Sequence, residues 1–198
     1  MTTNVFLAGA SGAIGRPLID ELVRRGHAVT GMTRSDGGAR ALAALGAAVA
    51  RVSAFDAAAV ERAVRESRAE VVIDQLTALP RHPAGMAAAA ADDRKLRLEG
   101  GGNLHRAARA CGARRYVQQS SGFFLTAGRG LADESEGLAV DAAGPRVAAS
   151  ARAYADLESR VLGAGGSKES PCGTGSSTGR APGTARTARP RARRGNRS

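Results

Sequence analysis

The chain has no tryptophan, two tyrosines, four phenylalanines, three histidines and two cysteines in 198 residues, and its lysines are Lys95 and Lys168 alone. Each shortage excludes something. Cys111 and Cys172 make no recognisable metal-ligand spacing, and His82 has no partner at such a spacing, so no metal site is expected and a reduced, cytoplasmic protein is the default. No apolar stretch is long enough to span a bilayer, and no basic segment followed by an apolar core opens the chain. A soluble protein without a membrane partner is the expectation.

Negative charge is also scarce, with 29 Lys and Arg against 18 Asp and Glu and a formal net charge of +11. Its placement matters more than its size. Residues 167–198 hold eight of the 29 basic residues and one of the 18 acidic ones, so the tail carries +7 and residues 1–166 carry +4. The body is therefore not a basic nucleic-acid footprint, and the tail has no aromatic residue on which a base could stack. The tail also lacks Val, Ile, Leu, Met, Phe, Trp and Tyr and cannot bury a core, so residues 167–198 read as a disordered basic segment. Residues 1–166 suffice for one domain.

What is present begins with Val5 to Gly15. A short apolar run, Val5 to Ala8, suits a parallel strand covered on both faces, and Ile14, Leu18, Leu22 and Val23 recur at helical spacing. Between them Gly9, Gly12 and Gly15 stand three apart. Gly9 allows the tight turn, Gly12 lets the backbone approach a pyrophosphate, and Gly15 lets helix and strand pack closely, so Gly9, Ser11, Gly12, Ala13, Ile14 and Gly15 are the candidate phosphate cradle.

Strand and helix patterns then alternate. Ala28 to Thr33, Ala47 to Val52, Val71 to Leu76 and Arg115 to Ser120 read as strands. Helices are expected at Ala39 to Leu45, Ala57 to Ser67, Ala87 to Cys111 and Pro145 to Leu162, with Gly100-Gly101-Gly102 weakening or kinking the third. Asp56 is placed to cap the helix from Ala57. The pattern predicts an α/β fold: an open, doubly wound parallel sheet of order 3-2-1-4-5, with its ligand crevice beyond the carboxyl ends of the strands. Leu76, Thr77 and Ala78 leave strand four there and become candidate cofactor contacts. Arg34 and Ser35 follow strand two, where a basic residue suits the 2′-phosphate of NADP; Asp36 keeps NAD open.

The runs VFLAGASGAIG, RRGHAVTGMTR and GGNLHRAARACGARRYVQQSS resemble the NAD-dependent epimerase/dehydratase group of the short-chain dehydrogenase/reductase superfamily, over Asn4 to Gly166. The resemblance implies a Rossmann-type domain with a nicotinamide cofactor, an adenine contact at Asp56, and a small carbonyl or hydroxyl substrate, a nucleotide sugar among the possibilities. It also implies a substrate-holding hydroxyl at Ser121, with Ser120 adjacent. Arg97 and Gly101 depart from the group's pattern, standing where an Asn and a Thr are usual.

Reduction in this superfamily depends on a Tyr with a Lys four residues later on the same helical face. Tyr154 is the candidate acid, but Glu158 occupies the Lys position; in the other register Tyr154 takes the Lys position and Ser150 the Tyr position. Three function classes stay open: an NAD(P)-dependent oxidoreductase or epimerase-like enzyme using Ser121 and Tyr154, a non-catalytic dinucleotide-binding sensor, and a nucleic-acid-associated protein. The oligomeric state is open as well.

Codons can be chosen for Ser167 to Ala185 whose shifted frame reads EGVALRYGFFYGPGTWHG, an apolar strand and an aromatic Gly-Pro-Gly loop similar to the group's sixth strand and substrate loop. The tail therefore reads as a frameshift product in a chain lacking the last strands and substrate-binding part, with poor stability and doubtful activity as the consequence.

Overall fold

Val5 to Ala8 are buried because β1 (Asn4–Ala8) lies at the centre of the sheet and packs helices on both faces. The computed structural model describes residues 1–80, 82–126, 128, 130, 132–133, 135–142 and 144–163, and the backbone of 170–173. The chain alternates β1, α1 (Gly15–Arg24), β2 (Ala28–Thr33), α2 (Asp36–Ala44), β3 (Ala48–Arg51), α3 (Ala57–Glu66) and β4 (Val71–Asp74). A 3-10 turn at Pro83–Gly85 leads into α4 (Met86–Lys95), a π-helical turn (Leu96–Gly100) and α5 (Gly101–Ala110). Then come β5 (Arg115–Ser120), a second 3-10 turn (Gly122–Phe124), α6 (Pro145–Leu162) and β6 (Ser170–Gly173).

All strand pairs are parallel and the order is 3-2-1-4-5-6, so the expected 3-2-1-4-5 arrangement is present. β1 shows how period two divides the core. Leu7 joins Ile19, Val29 and Leu42 on the face of α1 and α2, whereas Phe6 and Ala8 join Val60, Val64, Leu104, Tyr116 and Val161 on the face of α3, α5 and α6. Full burial of one such large side chain contributes about 1.5–3 kcal/mol, so these two clusters hold the domain.

The helix expected over Ala87 to Cys111 is α4, the π turn and α5 in succession, and the widened turn stands directly before Gly101. Gly101 permits close approach: a Cβ there would lie 2.7 Å from Asp74 Oδ2. α2 begins at Asp36, earlier than Ala39, because Ser35 caps it by accepting from the Gly38 N–H at 3.1 Å. Strand four ends at Asp74, two residues sooner than expected; the Asp74 carboxylate accepts the Leu76 N–H at 2.9 Å and turns the chain out of the ladder.

Beyond the five expected strands the sheet carries one further short pairing. Ser170–Gly173 pair in parallel with Val117 to Ser120. This pairing uses main-chain N–H and C=O groups. The rest of the tail, 167–169 and 174–198, lies outside the described residues, and with it most of the disorder and frameshift reading. Between β5 and α6, Leu125 and Leu138 form an isolated antiparallel bridge, and the described acidic residues Asp133 and Glu136 are exposed. Among the described residues no helix is long and apolar enough to cross a membrane, and no group of three or more His, Cys, Asp or Glu could hold a metal ion.

Candidate functional site

Gly9, at the end of β1, has φ +73°, and the place of its missing Cβ is filled by the Gln75 carbonyl oxygen at 2.2 Å. Gly15 is equally constrained, since its Cβ would lie 2.4 Å from the Gly9 carbonyl oxygen. These two contacts draw β1, the start of α1 and the residue after β4 into one tight turn, which the Gly12 N–H closes on Gly9 O at 3.0 Å. Gly12, Ala13 and Ile14 are exposed at its lip, and Ser11 is half-buried.

α1 opens without a side-chain cap and with no acidic residue in its first turn, whereas Ser35 caps α2 and Asp56 caps α3. Its positive dipole end therefore faces an anion with no side chain competing for it, although the Arg16 N–H donates to Gly12 O at 3.2 Å and Pro17 has no N–H. Arg16 adds a positive charge at the same lip, with its Nε donating to Ser11 O at 3.1 Å. An open, glycine-lined helix start with a cation beside it fits a pyrophosphate.

At the end of β2, Arg34 and Ser35 are exposed. Asp36 is held by Arg51 from the end of β3, with Arg51 Nη1 2.7 Å from its Oδ1. Both partners are mostly exposed, so the pair contributes at most about 1 kcal/mol and is easily exchanged. Asp56 is exposed and accepts from the Ala59 N–H at 2.9 Å, as its capping role requires.

Beyond β4 the expected crevice residues diverge. Leu76 turns into the core beside Ala54 and Leu104. Thr77 and Ala78 instead bind a carboxylate: Thr77 Oγ1 and the Ala78 N–H donate to Asp93 Oδ1 at 2.7 and 2.6 Å. Asp93 is the one buried residue of α4, so this helix is docked by an acid and not by an apolar stripe. Its Oδ2 accepts from Arg97 Nε at 2.8 Å; the Arg97 side chain is 4% exposed. Breaking a pair buried this deeply costs about 3–5 kcal/mol, because the remaining charge is stranded.

Arg97 projects from the π turn over the ring of Tyr154 on α6, 5.2 Å from guanidinium carbon to ring centroid. The other neighbours of Tyr154 are Phe124, stacked at 5.3 Å, and Ser121, whose hydroxyl is near enough to the phenol to favour its ionised form. Burial pushes the phenol above its ordinary range; the Arg97 charge pulls it down, Asp93 pushes it up, and the Ser121 hydrogen bond pulls it down. Ser120 Oγ donates to Glu158 Oε1 at 2.5 Å, so the carboxylate four residues after Tyr154 is tied to the end of β5. Ser121 and Tyr154 are therefore brought together, and Ser120 is turned toward Glu158.

Under this layer lies Asp74, 2% exposed, which accepts from Tyr116 Oη at 2.9 Å and Gln118 Nε2 at 3.3 Å. Burial raises its carboxyl above the usual range against the opposing pull of the Leu76 N–H, the Tyr116 hydroxyl and the charges of Arg97 and Arg160. Sequence reasoning singled out Arg97 only as a departure from a pattern and passed over Asp93 and Asp74. The i, i+4 spacing of Asp93 and Arg97 was the available signal, although such pairs usually lie on a solvated helix face.

Glycine turn, crevice and parallel sheet define a nicotinamide-dinucleotide-binding Rossmann domain, and comparison with known proteins agrees. Residues 9–163 match the family described as NAD(P)H-binding, and the chain belongs to it. It is 44% identical over 158 residues to the 3-diazoavenalumate denitrifying reductase of a Streptomyces species, covering 79% of this chain and 51% of that protein. Among solved structures, UDP-glucose 4-epimerase of Thermus thermophilus, in complex with NAD, superposes with TM-score 0.68 at 26% identity over 86% of this chain and 54% of that one. UDP-glucose 4-epimerase of Brucella ovis, also with NAD, gives TM-score 0.69 at 16% identity, over 85% and 50%, and shows the fold alone. The chain spans about half the length of these relatives.

Proposed function

We propose that this chain is the cofactor-binding half of an NADPH-dependent reductase that delivers hydride to a small electron-poor organic acceptor. The observation that carries the reading is that the Tyr154 phenol, stacked on Phe124 and covered by the Arg97 guanidinium, lies beside Ser121 at the carboxyl end of β5, two strands from the uncapped glycine turn after β1. Bound cofactor supplies hydride. The chain's residues hold its pyrophosphate at Gly9 to Gly15, place Asp56 near the adenine and Thr77 and Ala78 near the nicotinamide side, and offer two hydroxyls to the acceptor oxygen.

NADPH is favoured over NADH because Arg34 is exposed where a 2′-phosphate would lie, while the Asp36 charge that would repel it is offset by Arg51. The Streptomyces relative, by its name a reductase, supports reduction over epimerisation and adds diazo compounds to the carbonyls worth trying. A diazonium acceptor needs hydride alone, since R–N2⁺ and H⁻ give R–H and N2, with no oxygen to protonate.

Titrating NADPH and NADH by cofactor fluorescence, then following nicotinamide absorbance with aldehydes, quinones, nucleotide sugars and an aryl diazonium salt, tests the reading. NADPH binding with consumption by one of these classes is expected. Binding without consumption would replace it by a dinucleotide sensor, a second reading favoured by Glu158 standing four residues after Tyr154. No binding of either nucleotide at millimolar concentration would end both.

A further inference from the structure

Tyr154 is surrounded by charge from elements far apart in sequence. From α4 and the π turn come Asp93 and Arg97, after β5 comes the Ser121 hydroxyl, and from the 3-10 turn comes Phe124; four residues on along α6 stands Glu158, tied to Ser120. Of these, Arg97 alone is cationic, and its fit is constrained from three sides. Asp93 grips its Nε, its own carbonyl accepts from Arg160 Nη1 at 3.4 Å, and the guanidinium lies over the phenol ring. A helix in ordinary α geometry would not carry the extra residue that the π turn inserts at Leu96–Gly100, where such widened turns recur at functional positions.

We propose that Arg97, held by Asp93, is the positioning residue that sets the acidity of the Tyr154 hydroxyl, supplying from a neighbouring helix the positive charge that α6 does not carry four residues on. The proposal rests on the reductase reading for its purpose. If bound reduced nicotinamide supplied hydride to a carbonyl carbon, the carbonyl oxygen would take the proton from Tyr154 Oη, and the phenolate left behind would face Arg97. Because Arg97 is already paired with Asp93, the phenolate would keep a net negative charge until Tyr154 takes a proton from solvent. Because Asp93 also binds Thr77 and Ala78, the same carboxylate ties the loop after β4 to this phenol. The arrangement makes Glu158 compatible with an acidic Tyr154, since that carboxylate is occupied by Ser120.

The composition gives a direct readout without cofactor. The chain has two tyrosines and no tryptophan, so near-ultraviolet absorbance reports phenol ionisation with little background. pH-jump stopped flow reads it before alkaline unfolding, and Tyr154→Phe assigns the step, leaving Tyr116. Arg97→Gln should raise the Tyr154 midpoint by about one pH unit or more, and Asp93→Asn should lower it, because an unopposed guanidinium remains. Arg97→Lys should hold it near the unsubstituted value. A purely structural role for the pair would move the first two variants in the same direction, and that outcome, or no movement in either, overturns the proposal. If Arg97→Gln does not fold, the signs of Asp93→Asn and Arg97→Lys still decide. Loss of nucleotide binding would leave this titration unaffected, so its failure and the failure of the reductase reading are distinguishable.

Discussion

Gly12 stands exposed at the lip of the first turn, and a Cβ built there meets the Gly9 carbonyl oxygen at 3.1 Å and nothing else within 4 Å. Gly12→Val should therefore leave the far-ultraviolet circular dichroism unchanged while removing nucleotide binding, because the new side chain takes the pyrophosphate's space; unchanged affinity would move the site elsewhere. Arg34→Ala should weaken NADPH several-fold more than NADH, and equal losses would mean that this arginine does not read the 2′-phosphate. Asp74 provides a pH test. A carboxyl with a higher proton affinity in the folded protein favours folding below the ordinary carboxylate range and loses that contribution as pH rises through its folded value. The urea midpoint of the unsubstituted protein, relative to Asp74→Asn, should thus fall as pH rises above the ordinary carboxylate range of about 4; a flat difference would return Asp74 to the ordinary range. The turn residues and the Asp56 cap were legible in the sequence because glycine spacing and an Asp before a helix are local signals, whereas the Ser35 cap was passed over. Asp74 was not, since its burial is created by Tyr116 and Gln118 from another strand.

At the scale of elements, the five strands and the helix Pro145–Leu162 follow from periodicity alone, while α4 does not. Its sequence is nearly all alanine with a closing Asp-Asp-Arg-Lys, and nothing in such a run says which face docks. Tertiary placement decides, through Thr77 and Ala78 reaching Asp93. The Tyr154 environment was hidden for the same reason, because Arg97 arrives from a helix 57 residues earlier. The packing of α5 on β4 is tight at Gly101, where an added methyl would also lie 3.3 Å from Arg160 Nη1. Gly101→Ala should consequently lower stability by about 1–3 kcal/mol in urea unfolding, despite alanine's better helix propensity. A stabilised variant would show that α5 can shift away from the sheet.

For the whole molecule, the order of strands in the sheet and in the chain has a consequence in time. Val5 pairs with Val29 on one side and with Val71 on the other, a separation of 24 residues against 66. At usual rates of synthesis the second partner follows the first by about two to eight seconds. Through that interval β1 has one finished edge and one bare edge, and the three-stranded half must wait on the ribosome with Phe6 and Ala8 uncovered by α5. Gly9 waits too, since the carbonyl that fills the place of its missing side chain belongs to Gln75. The strand translated first is thus completed late, and a nascent chain becomes able to hold a nucleotide only after β4 has docked.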